Sequence, residues 1–439
     1  MKRDLKFFIT SNFGGGGQTV SRLFTYLPLL NNLNSKKINI LMNFRYLKYF
    51  LDNDPFYKYT PVFNGKILEK FDEEEKDFNQ FFNNQQNLLE IEEIGLSKSF
   101  SNLYPEKDLS ILLDSGSGAL IRDLISSKGY SKNSVVDYIN NLAKHHMEYL
   151  ERKSPEYAIA LDFCDKNTYK DVAKKDPKIN SVVSELISDN ENQLSLLTRS
   201  LELSIENKIK TKLYAPLHGE SEEELLSNFE AILNIESKIG NSFYGVALGG
   251  LRQWSAKKDG NKIIGNIISK IKTLKPNKSI HILGSSGLNR IIPFVYAGAN
   301  SFDCHTYWRR ANDGSRTSKS ESKIVTPLLD SRGQILDYEA DYFKNIDLVN
   351  LNIDRWKCDC YICSEVGLNF LIKLYKEPHD NEDYYYAKML IYFHSVYQYQ
   401  FLFNKLENMT NDNIFEFVYS LKDTPYTNKL KDDIEFITT

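Results

Sequence analysis

Eight short apolar, β-prone runs are spread along this chain of 439 residues, and their number limits the folds open to it. They cover Leu5 to Ile9, Ile38 to Met42, Leu109 to Leu113, Tyr157 to Leu161, Lys212 to Leu217, Phe243 to Leu248, Ile280 to Leu283 and Ser301 to Phe302. Most are separated by stretches of helical periodicity, such as Glu222 to Ile239 and Gly260 to Leu274. A helix between strands carries the chain back to start the next strand in the same direction, so β-α alternation implies a parallel sheet. Eight such units closed on themselves predict a (β/α)8 TIM barrel. The barrel is expected over residues 1–330 and a C-terminal helical zinc-binding subdomain over 331–439. The connection around 44–108 is too long for a simple βα unit and carries the acidic run Glu73-Glu74-Glu75, so it reads as an insertion at the barrel mouth.

A parallel barrel gathers its chemistry at the C-terminal ends of its strands. The polar residues ending the runs are Asn43, Asp114, Asp162, His218, Gly249 with Gly250, and Asp303. Aspartate and glycine also end strands as caps and turn-formers. Three aspartates on one expected rim favour a site over three separate turns. The run Gly14 to Gly17 followed by Gln18-Thr19 lacks the lysine of a P-loop and matches no dinucleotide fingerprint, so no nucleotide cofactor is expected there.

Charge and cysteine usage narrow the setting. The formal net charge is −3, so a nucleic-acid partner would need a local basic patch. The first ten residues hold too short an apolar run for a signal-peptide core, and no stretch approaches the ~20 apolar residues that span a bilayer. A cytoplasmic protein with no membrane partner is expected. Three of the five cysteines form Cys358-Asp359-Cys360-Tyr361-Ile362-Cys363. Three thiolates and one imidazole close a tetrahedral Zn²⁺ shell with no place for a catalytic water, so the zinc is expected to be structural. His394, in the helical stretch Ala387 to His394, is favoured as fourth ligand over His379 in the polar segment Pro378-His379-Asp380-Asn381.

Asp114-Ser115-Gly116, Leu161-Asp162-Phe163-Cys164, Leu217-His218-Gly219, Gly249-Gly250-Leu251 and Phe302-Asp303-Cys304, followed by the cysteine cluster, resemble the tRNA-guanine transglycosylase superfamily in order and spacing. The resemblance runs from about Leu109 to His394. It implies that Asp303 attacks C1′ of a guanosine, giving a covalent aspartyl-nucleic acid intermediate, and that Asp114 is the general acid/base. It further implies that Asp162 reads the Watson-Crick edge of the base, that His218 stands where the family has glutamine, and that Gly249 and Gly250 let backbone amides approach the ring. The chemistry asks for no more than this, since glycosidic displacement needs one carboxylate at the anomeric carbon and a second group to move the proton.

Two departures shift the expected substrate. The family's Asp-Ser-Gly-Gly-Phe-Gln is here Asp114-Ser115-Gly116-Ser117-Gly118-Ala119, and its Pro-Thr-Arg after the nucleophile is replaced by a segment containing Trp308-Arg309-Arg310-Ala311. That segment looks like the DpdA-type DNA 7-deazaguanine transglycosylases. The implied reaction is exchange of guanine in DNA for a preQ0-like 7-deazaguanine; the alternatives are the same exchange on tRNA and a non-catalytic nucleic-acid-binding subunit. Arg309, Arg310, Arg316, Lys319 and Lys323 outnumber Asp313 and Glu321 there, which suits phosphate binding, and Trp308 suits a wedge where a base leaves the duplex. Lys257, Lys258 and Lys262 are candidates to extend the patch. An ATPase helper for duplex opening, and a homodimer through the apolar Tyr384 to Phe403 helix, are left open by the sequence.

Overall fold

The computed structural model describes residues 3–10, 37–43, 108–117, 132–163, 181, 190–251, 254, 257, 259–285, 287–304, 360, 396–421, 423 and 425–438. The eight strands are β1 (Lys6–Thr10), β2 (Lys37–Asn43), β3 (Asp108–Asp114), β4 (Tyr157–Ile159), β5 (Lys212–Leu217), β6 (Gly245–Leu248), β7 (Ser279–Ile282) and β8 (Ser301–Cys304). They form a closed barrel in sequence order, every neighbour parallel, with β8 returning to β1 through Phe7↔Phe302 and Phe8↔Asp303. The expected (β/α)8 architecture is therefore observed.

Alternation along each strand sorts side chains into two cores. Phe7 and Ile9, Ile38 and Ile40, Leu109 and Ile111, Val246 and Leu248, and Ile280 and Ile282 face outward into the layer beneath the helices. Phe8, Leu41, Leu112, Tyr157, Ile159, Tyr214 and Ala247 face inward and pack on one another. Among the described residues the outer helices are α1 (Lys132–Lys153), α2 (Asn190–Glu206), α3 (Glu222–Ile239), α4 (Gly260–Leu274) and α5 (Leu288–Ala297); later in the chain, after a helix over 396–407, come α6 (Asn411–Tyr419) and α7 (Pro425–Thr438). For α3 and α4 these are the bounds read from periodicity. Helix α3 shows why: Ser221 Oγ accepts from Glu224 N–H at 3.1 Å, three glutamates occupy the first turn, and Gly240 ends the helix at φ 74°.

Two strands are shorter than the expected runs. β6 begins at Gly245, because the Phe243 N–H is donated to the Glu236 side chain at 2.9 Å instead of to a neighbouring strand. β4 ends at Ile159, and Leu161 to Phe163 form the rim loop.

The far C-terminal segment packs on the barrel itself. A helix over 396–407 lays Tyr399 and Phe403 on Phe7, with ring centroids 5.3 and 5.0 Å apart, and Phe403 also meets Phe302 at 5.3 Å. It thus covers the seam where β8 meets β1. Arg3 clasps the next turn, donating to Met409 O at 2.8 Å and to the Asn411 side chain. Helix α7 lies against α4 and α5, with Asn261 donating to Asp433 at 3.3 Å. No described helix is long and apolar enough to cross a membrane.

The N-terminal end of the barrel is plugged. Lys37 and Lys212 both reach Glu156, at 3.2 and 3.5 Å, and Ser110 Oγ–H donates to the same carboxylate at 2.6 Å. Lys212 also lies over the Tyr157 and Tyr244 rings at 4.9 and 5.4 Å. Burial alone would raise the Glu156 carboxyl, but hydrogen bonds from Ser110 and Tyr157 and the Lys37 charge outweigh it and bring it down to about 2.

Candidate active site

The residues expected at the rim are at the C-terminal ends of the strands. Asp114 is the last residue of β3, in register with Asn43 of β2. Asp162 lies just past β4, His218 follows β5, Gly249 and Gly250 follow β6, and Asp303 is on β8. Asp303 and Asp162 are buried, while His218 and Asp114 are partly exposed.

Asp162 and His218 form one unit, with Nε2 of the imidazole 2.6 Å from Oδ2. Asn228 on α3 donates to the His218 carbonyl at 2.9 Å, which holds the loop after β5. Gly249 makes the arrangement possible: a Cβ there would lie 2.3 Å from Cε1 of the His218 ring. Gly250 follows at φ 69°, a backbone conformation that favours glycine. The Asp162 backbone N–H is donated to Ser117 Oγ at 3.1 Å, and Ser117 Oγ–H in turn lies 3.0 Å from Ser115 Oγ. The two serines following Asp114 therefore tie the rim of β3 to that of β4.

Asp303 is held differently. Its Oδ1 accepts the Gly284 N–H at 2.9 Å and lies 3.2 Å from Nε2 of His281, a β7 side chain with 0% exposure. Nδ1 of the same ring is 2.9 Å from Ser301 Oγ. The imidazole is packed between Phe8 and Tyr214, each with its ring centroid 5.8 Å away. Burial pushes the Tyr214 phenol well above its usual range, so its hydroxyl stays neutral. His281, Gly284 and Ser117 were not among the residues expected from sequence. The alternation Ser279-Ile280-His281-Ile282 was the available signal for His281, because in a closed barrel its polar positions point inward.

The remaining expected residues are distributed as follows. Trp308, Arg309, Arg310, Arg316, Lys319 and Lys323 lie outside the described residues, as do Cys358, Cys363, His379, His394 and Lys258. Cys360 is described and buried, at 1% exposure. A buried thiol suits a metal thiolate and an apolar core equally well. Lys257 lies 3.8 Å over the Trp254 ring and donates to the Glu220 carbonyl at 2.8 Å, latching the loop after β6 onto the loop after β5. Lys262 is on the outer helix α4, with its ammonium 5.8 Å over Phe436 of α7.

This arrangement sets three carboxylates on a single rim: Asp114 at the end of β3, Asp162 paired with His218 beside Gly249, and Asp303 held by the Gly284 amide and the His281 ring. A family model described as queuine tRNA-ribosyltransferase matches residues 80–424, most of the chain. The chain belongs to this family. Among its relatives, a queuine tRNA-ribosyltransferase of Thermodesulfovibrio yellowstonii is 29% identical over 185 residues, 42% of this chain and 43% of the relative. One from Histophilus somni is 26% identical over 226 residues, 52% of each chain, and one from Blochmanniella pennsylvanica is 27% identical over 159 residues, 36% of each. The chain thus spans about half, or less, of the length of the curated relatives it matches.

Proposed function

We propose that the chain is a guanine transglycosylase, exchanging guanine in DNA for a 7-deazaguanine of the preQ0 type. The observation that supports it best is Asp303, a buried carboxylate anchored through one oxygen on the same rim as Asp114 and the Asp162-His218 pair. In this reading Asp303 attacks C1′, forming the C1′–O bond as the C1′–N9 bond breaks. The electron pair leaves with guanine, and protonated Asp114 supplies the proton that neutralises it. The incoming base gives its N9 proton back to Asp114, and N9 displaces the Asp303 ester. Proton and charge balance over the two halves without any other reactant.

Asp162 suits the N–H donors of the Watson-Crick edge, because an ionised carboxylate is an acceptor only. The Gly249 N–H is donated to the Leu217 carbonyl at 3.1 Å, so in this reading it is the Gly250 end of the turn, without a Cβ and at φ 69°, that a flat ring approaches. DNA is favoured as acceptor by Trp308-Arg309-Arg310-Ala311, which replaces the Pro-Thr-Arg of the tRNA enzymes and brings charge for phosphates. A second reading, the same exchange on tRNA, is favoured by the names of the three relatives.

The test is exchange of labelled guanine or preQ0 into double-stranded DNA, single-stranded DNA and tRNA in parallel, with Asp303→Ala as the blank. Label entering DNA alone is the expected result. Entry into tRNA alone replaces the DNA reading with the second one, and no entry into any acceptor points to a binding-only subunit.

The same reading includes a structural zinc on Cys358, Cys360, Cys363 and His394, whose three thiolates and one imidazole fill a tetrahedral shell. Cys360→Ser is expected to lower both bound zinc and thermal stability; a variant unchanged in both removes the zinc from the proposal.

A further inference from the structure

We infer that His281 is a positioning residue that selects which oxygen of Asp303 reacts. The inference rests on the reading of Asp303 as nucleophile. Both of the carboxylate's hydrogen bonds among the described residues fall on Oδ1: the Gly284 N–H at 2.9 Å and the His281 ring at 3.2 Å. Oδ2 is left as the attacking atom. Gly284 can hold this turn because it is a glycine, its φ of 62° lying in the left-handed region.

The His281 proton follows from its two partners. An ionised carboxylate only accepts, so Nε2 must carry the hydrogen that Oδ1 receives. Ser301 Oγ, 2.9 Å from Nδ1, can donate its hydroxyl hydrogen and leave the ring neutral. A neutral ring suits a residue with no exposure, enclosed by Phe8 and Tyr214. Engaged at both ring nitrogens, the imidazole favours one orientation and holds Oδ1 of the carboxylate toward itself.

This tether serves both halves of the exchange. In the attack it keeps Asp303 from rotating and directs an Oδ2 lone pair at C1′. In the aspartyl ester Oδ1 becomes the carbonyl oxygen and keeps its two donors. When the incoming base displaces Oδ2, the negative charge returning to the carboxylate is received by N–H groups already in place.

Two variants and one spectrum test this. His281→Phe keeps a ring of similar shape but no N–H, and His281→Gln restores an N–H at the reach of Nε2. With wild-type exchange as reference, His281→Phe is expected to lower kcat about 10- to 100-fold with KM for the base changed less than about twofold. His281→Gln is expected to recover much of the loss. A His281→Phe enzyme with wild-type kcat, or a His281→Gln enzyme as slow as it, overturns the inference.

The second measurement needs no substrate. In ¹⁵N-histidine-labelled protein, the His281 ring, identified by its absence from His281→Gln, should show Nε2 protonated and Nδ1 bare, and Asp303→Asn should weaken that preference. An Nδ1–H tautomer or a doubly protonated ring at neutral pH overturns the tether. If the wild type exchanges no base into any acceptor, the functional reading fails alone, and the spectrum still decides whether His281 holds Asp303 as described.

Discussion

The Asp162-His218 unit depends on a hydrogen atom where any other residue would place a carbon. A Cβ at Gly249 would meet the imidazole at 2.3 Å, and the ring could escape only by leaving Oδ2 of Asp162, 2.6 Å away. Gly249→Ala is therefore expected to raise KM for the base about tenfold, the loss of one charge-assisted hydrogen bond of about 1.5 kcal/mol. Steady-state exchange measures it, and a KM equal to wild type would show that the pair is not part of base binding. Rim residues of this kind could be located from sequence because a strand end is a local signal, an apolar run followed by Asp, His or Gly. Ser117 could not, since its bond to the Asp162 amide joins two strand ends 45 positions apart. Nor could His281 be matched to Asp303 before the barrel was known to set β7 beside β8.

At the scale of elements, the floor of the barrel shows how strands of one charge pattern are joined. Lys37 starts β2, Ser110 is in β3 and Lys212 starts β5, and all three converge on Glu156, the residue before β4. Its folded-state value, about 2, is below the ordinary 4.5, so the carboxylate contributes stability that is complete above pH 4.5 and is lost as pH falls toward 2. Glu156→Gln is expected to be less stable than wild type at neutral pH, with the two unfolding midpoints converging by about pH 2 in a denaturant titration repeated at each pH. A constant gap across that range would mean that Glu156 contributes by shape alone. The strands themselves were legible as short apolar runs set between stretches of helical periodicity. Their ends were less so: Phe243 reads as strand, but its amide is taken by a glutamate from α3, an interaction no local pattern encodes.

Over the whole molecule, the first strand and a late helix meet. Phe403 stacks on Phe7 of the first strand and meets Phe302 of the last, so the seam of the barrel is closed by residues that enter the chain nearly a hundred positions after β8. Phe403→Ala is expected to cost about 3–5 kcal/mol, seen as a lower unfolding midpoint, and a change within error would mean that the seam is sealed by other contacts. The closed, eightfold architecture was legible from the count of runs, whereas this seam was not, because aromatic residues on a late helix do not announce what they cover. Below the rim, Phe8, Tyr157 and Tyr214 fill the interior down to the charged floor. Among the described residues the barrel interior is therefore closed from below, and the polar groups of the candidate site converge at the opposite end only. Under the proposed exchange, the departing base and its replacement would be handled at that one end, and free guanine would compete with the incoming base there.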